Sequence, residues 1–493
     1  MFMLPLTILF PVVLGTVLLA LKEGTVSAKG MRIYTGIVLC VELILIGVCV
    51  FGVSSEPFNV FNLTSTLKVG FMLDNTGRIF ASIIGIIWTC VGFYSFEYMK
   101  HEDHNKRYLG FYIIMLGILM GLCFSGNLLS YYAFYEFMTL CSFALVLHNQ
   151  TREAIMASLK YMFYSFAGAY MVLFGLYFVY KYSNDKSMNF VEGGFVNTEA
   201  GAGILLVAML LMIVGFGVKA GMFPLHGWLP TAHPVAPAPA SAVLSGIIVK
   251  AGVLGVLRTI YYVFGVDFFN GSYVQKVVLI FALITVFMGS MLAYREPLMK
   301  KRLAFSTVSQ VSYILMGLFM CTADAYKGSI LHVVSHAAIK STLFVVAGAI
   351  IFKTGCTRVE ELRGIGKKMP VMMWCYTIVS LGLIGIPPFG GFTSKWYLCL
   401  GALDSYIPVF SWLGPVILLV SALLTAGYLL PISINGFLPG NDFENKVSEE
   451  PENPLYKAYI SASEPGLIML IPMIIMTLVS VVVGLLPEVI TWL

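Results

Sequence analysis

The sequence predicts an all-α polytopic membrane protein. Of its 493 residues, 59% are hydrophobic and only 11% are charged, and the mean hydropathy is +0.88. These values are far from the balance of a soluble globular domain. The apolar residues also occur in runs of about 20, which is the length of helix that crosses the roughly 30 Å hydrocarbon layer of a bilayer. We therefore expect about 14 transmembrane helices.

The expected spans are separated by loops, the longest of which precedes the last span. They lie near residues 2–22, 31–52, 76–98, 108–125, 127–149, 157–182, 203–223, 238–262, 274–293, 303–322, 329–353, 370–401, 412–436 and 466–491. The acid-rich, proline-containing stretch before the last span is expected to be a solvated linker in preference to a docking surface.

Two spans are expected to be broken near mid-membrane. In span 7, Lys219 stands five residues before Pro224, and in span 12 the sequence PPFGG at 387–391 ends four residues before Lys395. Proline removes a backbone donor and clashes with the preceding turn. Broken helices at corresponding places in two halves point to the ion path of an inverted-repeat transporter. Spans 4–8 and 9–13 are therefore predicted to form two inverted five-helix repeats.

This assignment divides the chain into five parts. They are the N-terminal helices 1–3 at 1–107, the first inverted repeat at 108–262, the second inverted repeat at 263–436, a cytoplasmic acidic loop at 437–465, and helix 14 at 466–493.

Four lysines, Lys219, Lys250, Lys340 and Lys395, lie in the middle of predicted spans, together with the acid Glu136. A lysine at the centre of a bilayer costs at least about 2.5 kcal/mol, so such residues usually mark an ion pathway. Desolvation favours the neutral form of a lysine and a nearby carboxylate favours the charged form. Separation of a buried lysine from a glutamate would therefore release a proton. These residues predict ion movement.

Histidines extend this set. His332 and His336 precede Lys340 at four-residue steps, which places all three on one stripe of a helix and suits a proton relay. One of the two histidines could instead be packed or capped. His226 and His233 flank the break in span 7, where they could join the same pathway or satisfy unwound backbone.

Glu42 lies in the middle of span 2, outside the predicted repeats. No partner for it can be identified from the sequence. We expect it to contact another subunit and favour this over a position on the ion pathway.

Basic residues predict the orientation of the chain. Of the 30 lysines and arginines, four are the buried lysines and seven fall in loops after even-numbered spans: Lys68, Arg78, Lys181, Lys186, Arg258, Lys276 and Lys327. The other 19 lie in loops after odd-numbered spans. Because cytoplasmic loops carry the excess of lysine and arginine, those loops are predicted to be cytoplasmic and both termini external. The expected location is the inner cell membrane.

Several classes of function are disfavoured. The net charge of +5 reflects topology, because no basic patch interleaved with aromatic residues indicates a nucleic-acid partner. The nine cysteines form no C-x-x-C pair, and the chain has neither a P-loop nor a G-x-G-x-x-G motif. We therefore expect no metal, no cofactor, and no redox or hydrolytic chemistry in this chain. Energy must come from a partner or from an ion gradient.

Four segments resemble one known family: FPLHGWLPTAHPVAPAPASAVLSGIIVKAGVLGVLR from Phe223, KRLAFSTVSQ from Lys301, HVVSHAAIKSTLF from His332 and IPPFGGFTSKW from Ile386. They are similar to the antiporter-like subunits of respiratory complex I, membrane-bound hydrogenases, formate hydrogenlyases and Mrp sodium/proton antiporters. The resemblance covers nearly all of the 14-helix region. It implies a proton-translocating subunit within a larger membrane complex.

The resemblance also implies roles for matched residues. A glutamate on the fifth helix, here Glu136, would pair with a lysine on the seventh, here Lys219. Lys250 would relay the charge, and Lys395 would face the exit. The central connection between the two half-channels would fall at His332, His336 and Lys340.

The branch of the family remains open at this stage. A lysine at position 395 differs from the glutamate of one branch, and the chain does not resemble the distal complex I subunit that carries a lateral helix. An Mrp D-like subunit, a quinone-proximal antiporter-like subunit and a hydrogenase equivalent remain. The implied partners are other integral membrane subunits, hydrogenase or quinone/NADH modules, protons or sodium, and lipid. Two other functions stay open, namely a self-sufficient secondary transporter and a non-conducting scaffold.

The predicted orientation can be tested by cysteine labelling. Cysteines introduced at Lys106 and Lys367, in a background without other cysteines, should react with a membrane-impermeant reagent only from the cytoplasmic side. Labelling of either position from outside intact cells would reverse the assigned orientation.

Overall fold

A computed structural model describes residues 2–22, 24–53, 56–184, 186–441, 443–450, 452–453 and 456–488. The last residues predicted for helix 14, 489–493, lie outside the described residues, as do four positions of the predicted acidic loop.

The described chain is mostly helical. Its helices are α1 Met3–Ala20, α2 Ala28–Gly52, α3 Asn75–Tyr98, α4 Asn105–Cys123, α5 Leu128–Val146, α6 Arg152–Tyr182, α7 Ala202–Ala220, α8 Leu229–Val235, α9 Ala238–Val243, α10 Val249–Arg258, α11 Val266–Phe269, α12 Tyr273–Arg295, α13 Met299–Met320, α14 Ala323–Thr354, α15 Ile365–Lys368, α16 Pro370–Ile384, α17 Gly390–Leu403, α18 Phe410–Phe437, α19 Phe443–Glu449, α20 Lys457–Ser461 and α21 Leu467–Leu485. The π-helical segment Leu244–Ile248 joins α9 to α10, and a second one, Thr259–Phe264, continues α10 to the end of the same span.

Within the described ranges, 13 helices are long and apolar enough to cross a membrane. The remaining predicted span, near 370–401, is split into α16 and α17 by a break at Gly385–Phe389. The predicted break in span 7 is also present, between α7 and α8. The prediction of a polytopic helical membrane protein with broken helices 7 and 12 is confirmed.

Polar residues fix where many spans begin. The side chains of Ser27, Asp74, Asn127, Thr151 and Thr322 each accept a hydrogen bond from the backbone N–H three residues further on. Such N-caps satisfy one of the backbone donors that a helix leaves free in its first turn. The loops of the chain thus supply the residues that start its helices.

The most enclosed helices lie at the centre of the protein. The span Ala238–Phe264 is 100% buried over its most apolar window, and α13 and α14 are 94% buried. Helix α14 contacts α3, α9, α13, α16, α17 and α21. The four buried lysines lie on this core or on helices that pack against it, so protein encloses their side chains.

The structure adds a small antiparallel hairpin, which the all-α prediction did not include. Strand β1 (Phe58–Asn62) pairs with β2 (Lys68–Phe71), with Phe58 opposite Phe71 and Asn62 opposite Lys68. The pairing is irregular between Asn59 and Phe61. The hairpin leads directly into α3.

The position of Arg258 differs from the one assumed in the count of basic loop residues. The count places it in a loop, but it lies at the end of α10 and is 1% exposed. Its guanidinium forms a bidentate ion pair with Asp74, with Nη2 donating to Oδ1 at 2.7 Å. Burial by itself raises the pKa of Asp74, but the charge and hydrogen bonds of Arg258 hold that pKa below its usual range. The pair ties the start of α3 to the end of α10.

Glu42 is not at a subunit surface, which corrects the expectation from the sequence. Its side chain is 0% exposed, and neither carboxylate oxygen has a hydrogen-bond partner among the described residues. The opposite face of α2 carries exposed apolar side chains. Glu42 therefore points into the protein.

Substitution of Asp74 by asparagine should destabilise the protein by about 3–5 kcal/mol, because the buried Arg258 would lose its counter-charge. The double variant Asp74→Asn/Arg258→Met should recover much of this loss. Thermal unfolding of the detergent-purified protein measures both. A single variant as stable as the parent would show that the ion pair does not hold these helices together.

Candidate functional site

Lys219 lies at the end of α7, just before the break, and is 0% exposed. Its ammonium donates to three hydroxyls, those of Thr139 at 3.0 Å, Tyr161 at 2.6 Å and Ser165 at 3.1 Å. It also lies 4.4 Å from the centre of the Tyr161 ring, within cation–π distance. A hydroxyl can accept from an ammonium and donate to an amine, so this cage can hold Lys219 in either protonation state.

Glu136 lies on α5, three residues before Thr139. It forms no ion pair with Lys219 within 4 Å, although its charge acts on that lysine. One of its carboxylate oxygens, Oε1, is buried without a hydrogen-bond partner among the described residues. The two charged groups are therefore close enough to interact but do not form an ion pair.

Lys250 lies at the start of α10, directly after a π-helical segment. Its ammonium contacts the Ser245 carbonyl oxygen at 2.9 Å and His336 Nδ1 at 2.6 Å. The side chain thus bends back onto a carbonyl five residues earlier while it bridges to α14. π-Helical turns inside α-helices occur frequently at functional sites, and this one sets the position of a buried cation.

The stripe predicted on α14 is present. His332, His336 and Lys340 are each at most 1% exposed, and the two imidazole rings stack with their centres 5.8 Å apart. His332 Nδ1 lies 2.8 Å from Ser394 Oγ on α17. Lys340 Nζ donates to the Leu303 carbonyl at 3.1 Å. Both histidines have Nε2 free of partners among the described residues.

Lys395 follows the second break and is 6% exposed. Its ammonium donates to the carbonyls of Leu383 at 2.6 Å and Ile384 at 2.8 Å, at the end of α16. A helix leaves its last carbonyls unsatisfied, so the break creates the acceptors that hold this lysine. The ammonium also lies 5.3 Å from the centre of the Tyr313 ring.

Between Lys250 and Lys395, these buried polar groups form a nearly continuous line of contacts. It runs from Lys250 to His336, to His332, to Ser394, which precedes Lys395 in α17. Each member can donate or accept a proton. Between Lys219 and Lys250 no direct hydrogen bond is present, but the helices touch, because a Cβ on Gly252 would lie 3.1 Å from Lys219 Cβ.

The hydroxyls of Ser241 and Ser245, which precede Lys250 in the chain, do not bridge that gap. Ser245 Oγ is paired with Thr307 Oγ1 at 2.6 Å, and Ser241 Oγ donates to the His233 carbonyl at 3.0 Å. Neither hydroxyl forms a hydrogen bond with the ammonium of Lys219 or Lys250.

The two histidines around the first break differ. His233 is 0% exposed and stacks on Phe344 at 4.7 Å, while His226 is half-buried next to Phe223. Both ring nitrogens of His233 and Nδ1 of His226 lack partners among the described residues. Those three nitrogens therefore do not satisfy the unwound backbone.

Sequence reasoning missed several polar neighbours of the buried cations. They are Thr139, Tyr161, Ser165, Tyr313 and Ser394. The only available signal was the four-residue spacing of Tyr161 and Ser165 on one helix face. Within the described residues, no group of three or more His, Cys, Asp or Glu could hold a metal ion.

Comparison with known proteins identifies the family. The family model described as "NADH:quinone oxidoreductase/Mrp antiporter, TM" matches residues 125–427, which is more than half of the chain. The chain belongs to this family. A second model, "NADH-Ubiquinone oxidoreductase (complex I), chain 5 N-terminus", matches residues 61–109. The resemblance stated from the four sequence segments is confirmed, and the chain is an antiporter-like, multi-pass membrane subunit.

Curated relatives come from more than one branch of this antiporter-like family. NADH-quinone oxidoreductase subunit N of Desulforudis audaxviator is 33% identical over 391 residues, which cover 78% of this chain and 75% of that protein. An Na(+)/H(+) antiporter subunit of Alkalihalophilus pseudofirmus is 28% identical over 460 residues, which cover 91% and 88%.

A solved structure supports the fold of this antiporter-like subunit. A chain of the Mrp complex from Dietzia sp. DQ12-45-1b superposes with a TM-score of 0.82 at 21% identity, over 99% of this chain and 96% of that one. At this level of identity the similarity concerns the fold alone.

The second break should tolerate no side chain at Gly391. A Cβ there would lie 1.8 Å from the Gly382 carbonyl oxygen, so Gly391→Ala would force α16 and α17 apart. We expect a loss of about 1–3 kcal/mol, as for other overpacked sites. Thermal unfolding in detergent gives the value. Gly47→Ala in α2 is the matched control, because a Cβ there meets nothing within 4 Å and should be neutral or slightly stabilising. Equal melting temperatures for both variants would contradict this account.

Proposed function

We propose that this chain moves protons along its line of buried cations, as part of a larger membrane complex. The observation that carries the proposal is the succession of contacts from Lys250 through His336 and His332 to Ser394, next to Lys395. A lysine that only holds helices together needs hydrogen-bond acceptors alone, whereas proton transfer requires a series of groups that can both accept and donate. The family membership supports the same function.

Glu136 and Lys219 would act as the switch at one end of this line. In the separated arrangement the ammonium is held by hydroxyls alone. Movement of Glu136 toward Lys219 would favour the charged lysine, and movement away would favour proton release. Lys250 would accept the released charge once water fills the gap between the two helices. Lys395, held by backbone carbonyls with no carboxylate in contact among the described residues, would release protons at the other end.

The two halves of the line would correspond to the two inverted repeats, 108–262 and 263–436. Each half contains a broken helix next to a buried lysine, α7/α8 with Lys219 and α16/α17 with Lys395. Residues 1–107 and 466–493 would flank these repeats, and 437–465 would form the acidic cytoplasmic loop. The stripe on α14 would connect the two halves.

The remaining assignments follow from charge and similarity. The basic loops would face the cytoplasm and both termini would face outside, in the inner cell membrane. Other integral membrane subunits would supply the redox or gradient energy, in an assembly of the complex I, hydrogenase or Mrp type. This chain would itself carry no cofactor.

Sodium/proton exchange is a second candidate, because a relative of 28% identity is named an Na(+)/H(+) antiporter subunit. Sodium prefers several oxygen ligands, but Glu136 is the one carboxylate in the proposed line. Protons are therefore the favoured ion for this chain.

Two substitutions test whether the buried residues transfer protons or only provide a fixed charge. Glu136→Gln removes the switching charge, and Lys395→Arg keeps a positive charge that does not lose its proton. Each should reduce proton translocation by the assembled complex to background. The measurement is gradient formation in inverted membrane vesicles that contain equal amounts of assembled complex. Lys276→Arg, at an exposed site at the start of α12, is the control and should behave as wild type. Normal coupling in Lys395→Arg would show that Lys395 need not lose its proton, and normal coupling in Glu136→Gln would remove the proposed switch.

A further inference from the structure

A long apolar groove lies on the outer surface between α2, α3 and α21. One part, of about 610 Å³, is lined by residues of all three helices, including Ile37, Ile44, Phe96 and Ile468. A second part, of about 500 Å³, continues from it past Phe93 and Ile468, which line both parts. The groove is distinct from the line of buried cations, and the proposed proton pathway does not use it.

The lining residues place the groove in one half of the membrane. On α2 the lining runs from Lys29 to Ile44, and its apolar part, from Ile33 to Ile44, is about 16 Å long at 1.5 Å per residue. Half of the roughly 30 Å hydrocarbon layer is about 15 Å. On α21 the lining runs from Leu467, the first residue of the helix, to Ile475. The groove therefore begins at one membrane surface and ends near the midplane, as an acyl chain of one leaflet does.

The surface end of the groove is basic. Lys29 and Arg32 line it there, whereas the rest of the lining is almost entirely apolar. Neither residue forms an ion pair with a described residue, and Arg32 uses Nε to donate a hydrogen bond to the Ala28 carbonyl at 3.1 Å. The nearby acid Glu97 is already paired with Lys100 at 2.8 Å. Two positive charges without an acidic partner among the described residues thus stand at the mouth of an apolar groove.

From this arrangement we infer that the groove binds an anionic phospholipid of the leaflet that meets the basic face. The phosphate would bind Lys29 and the terminal guanidinium nitrogens of Arg32, and an acyl chain would lie along α2 toward Ile44. Basic sites between transmembrane helices recognise anionic head groups in this way. A transmembrane helix of a partner subunit would fill the apolar part but would leave both charges without a counter-ion.

The head-group contact is tested by native mass spectrometry of the full chain, stripped of lipid and titrated with phosphatidylglycerol or phosphatidylcholine. Wild-type protein should prefer phosphatidylglycerol. Lys29→Gln/Arg32→Gln should weaken phosphatidylglycerol binding about twenty-five-fold, because each basic residue near the surface contributes roughly fivefold, and should leave phosphatidylcholine binding unchanged. The double variant Arg152→Gln/Arg295→Gln removes the same charge at exposed positions outside the groove and should bind as wild type. Equal binding of both lipids, or an equal loss in the control, would overturn the inference.

The occupant within the assembled complex is tested by photocrosslinking. Benzoylphenylalanine in place of Ile44 should yield an adduct with the mass of a phospholipid when native membranes are irradiated. A crosslink to another polypeptide would overturn the inference and assign the groove to a partner helix. Both measurements are independent of ion movement, so their outcome does not depend on the proposed proton pathway.

Discussion

The absence of water from the membrane interior governs how this protein is built. A polar group that the sequence places there costs several kcal/mol unless it finds a partner within the protein. Lys219 meets this requirement with three hydroxyls, Lys250 with a carbonyl and an imidazole, and Lys395 with two carbonyls. In these contacts the partners are neutral groups. A lysine with neutral partners can lose its proton without leaving a buried negative charge behind.

The broken helices and the buried cations depend on one another. The break after Ile384 leaves carbonyls without N–H partners, and the Lys395 ammonium supplies the missing donors. The close approach of Gly382 and Gly391 lets the two half-helices overlap at that point. An apolar residue in place of Lys395 would leave the carbonyls unsatisfied, and an unbroken helix would leave the lysine without acceptors. Neither feature is stable alone in lipid.

The sequence predicted most of the fold, because span length and hydropathy are local properties. The breaks near Pro224 and Pro387 and the α14 stripe were also predicted, since proline chemistry and helical periodicity act within a few residues. The cage around Lys219 was not, because Thr139, Tyr161 and Ser165 come from two helices that precede it by 54 to 80 positions. The loop position predicted for Arg258 was wrong because its partner Asp74 lies 184 positions away. Contacts between distant helices follow from packing, which one sequence does not specify.

The π-helical segment Leu244–Ile248 makes the position of the Lys250 charge depend on the backbone as well as on side-chain contacts. Such a segment holds about one residue more than an α-helix would over the same turn, because its hydrogen bonds run from residue i to residue i+5. A shift of one position turns the following residue by about 100° around the helix axis, since an α-helix has 3.6 residues per turn. For Lys250, which bends back onto the carbonyl of Ser245, that rotation would carry the ammonium away from His336. A shift of one residue in the backbone next to this lysine would thus produce a large displacement of its charge.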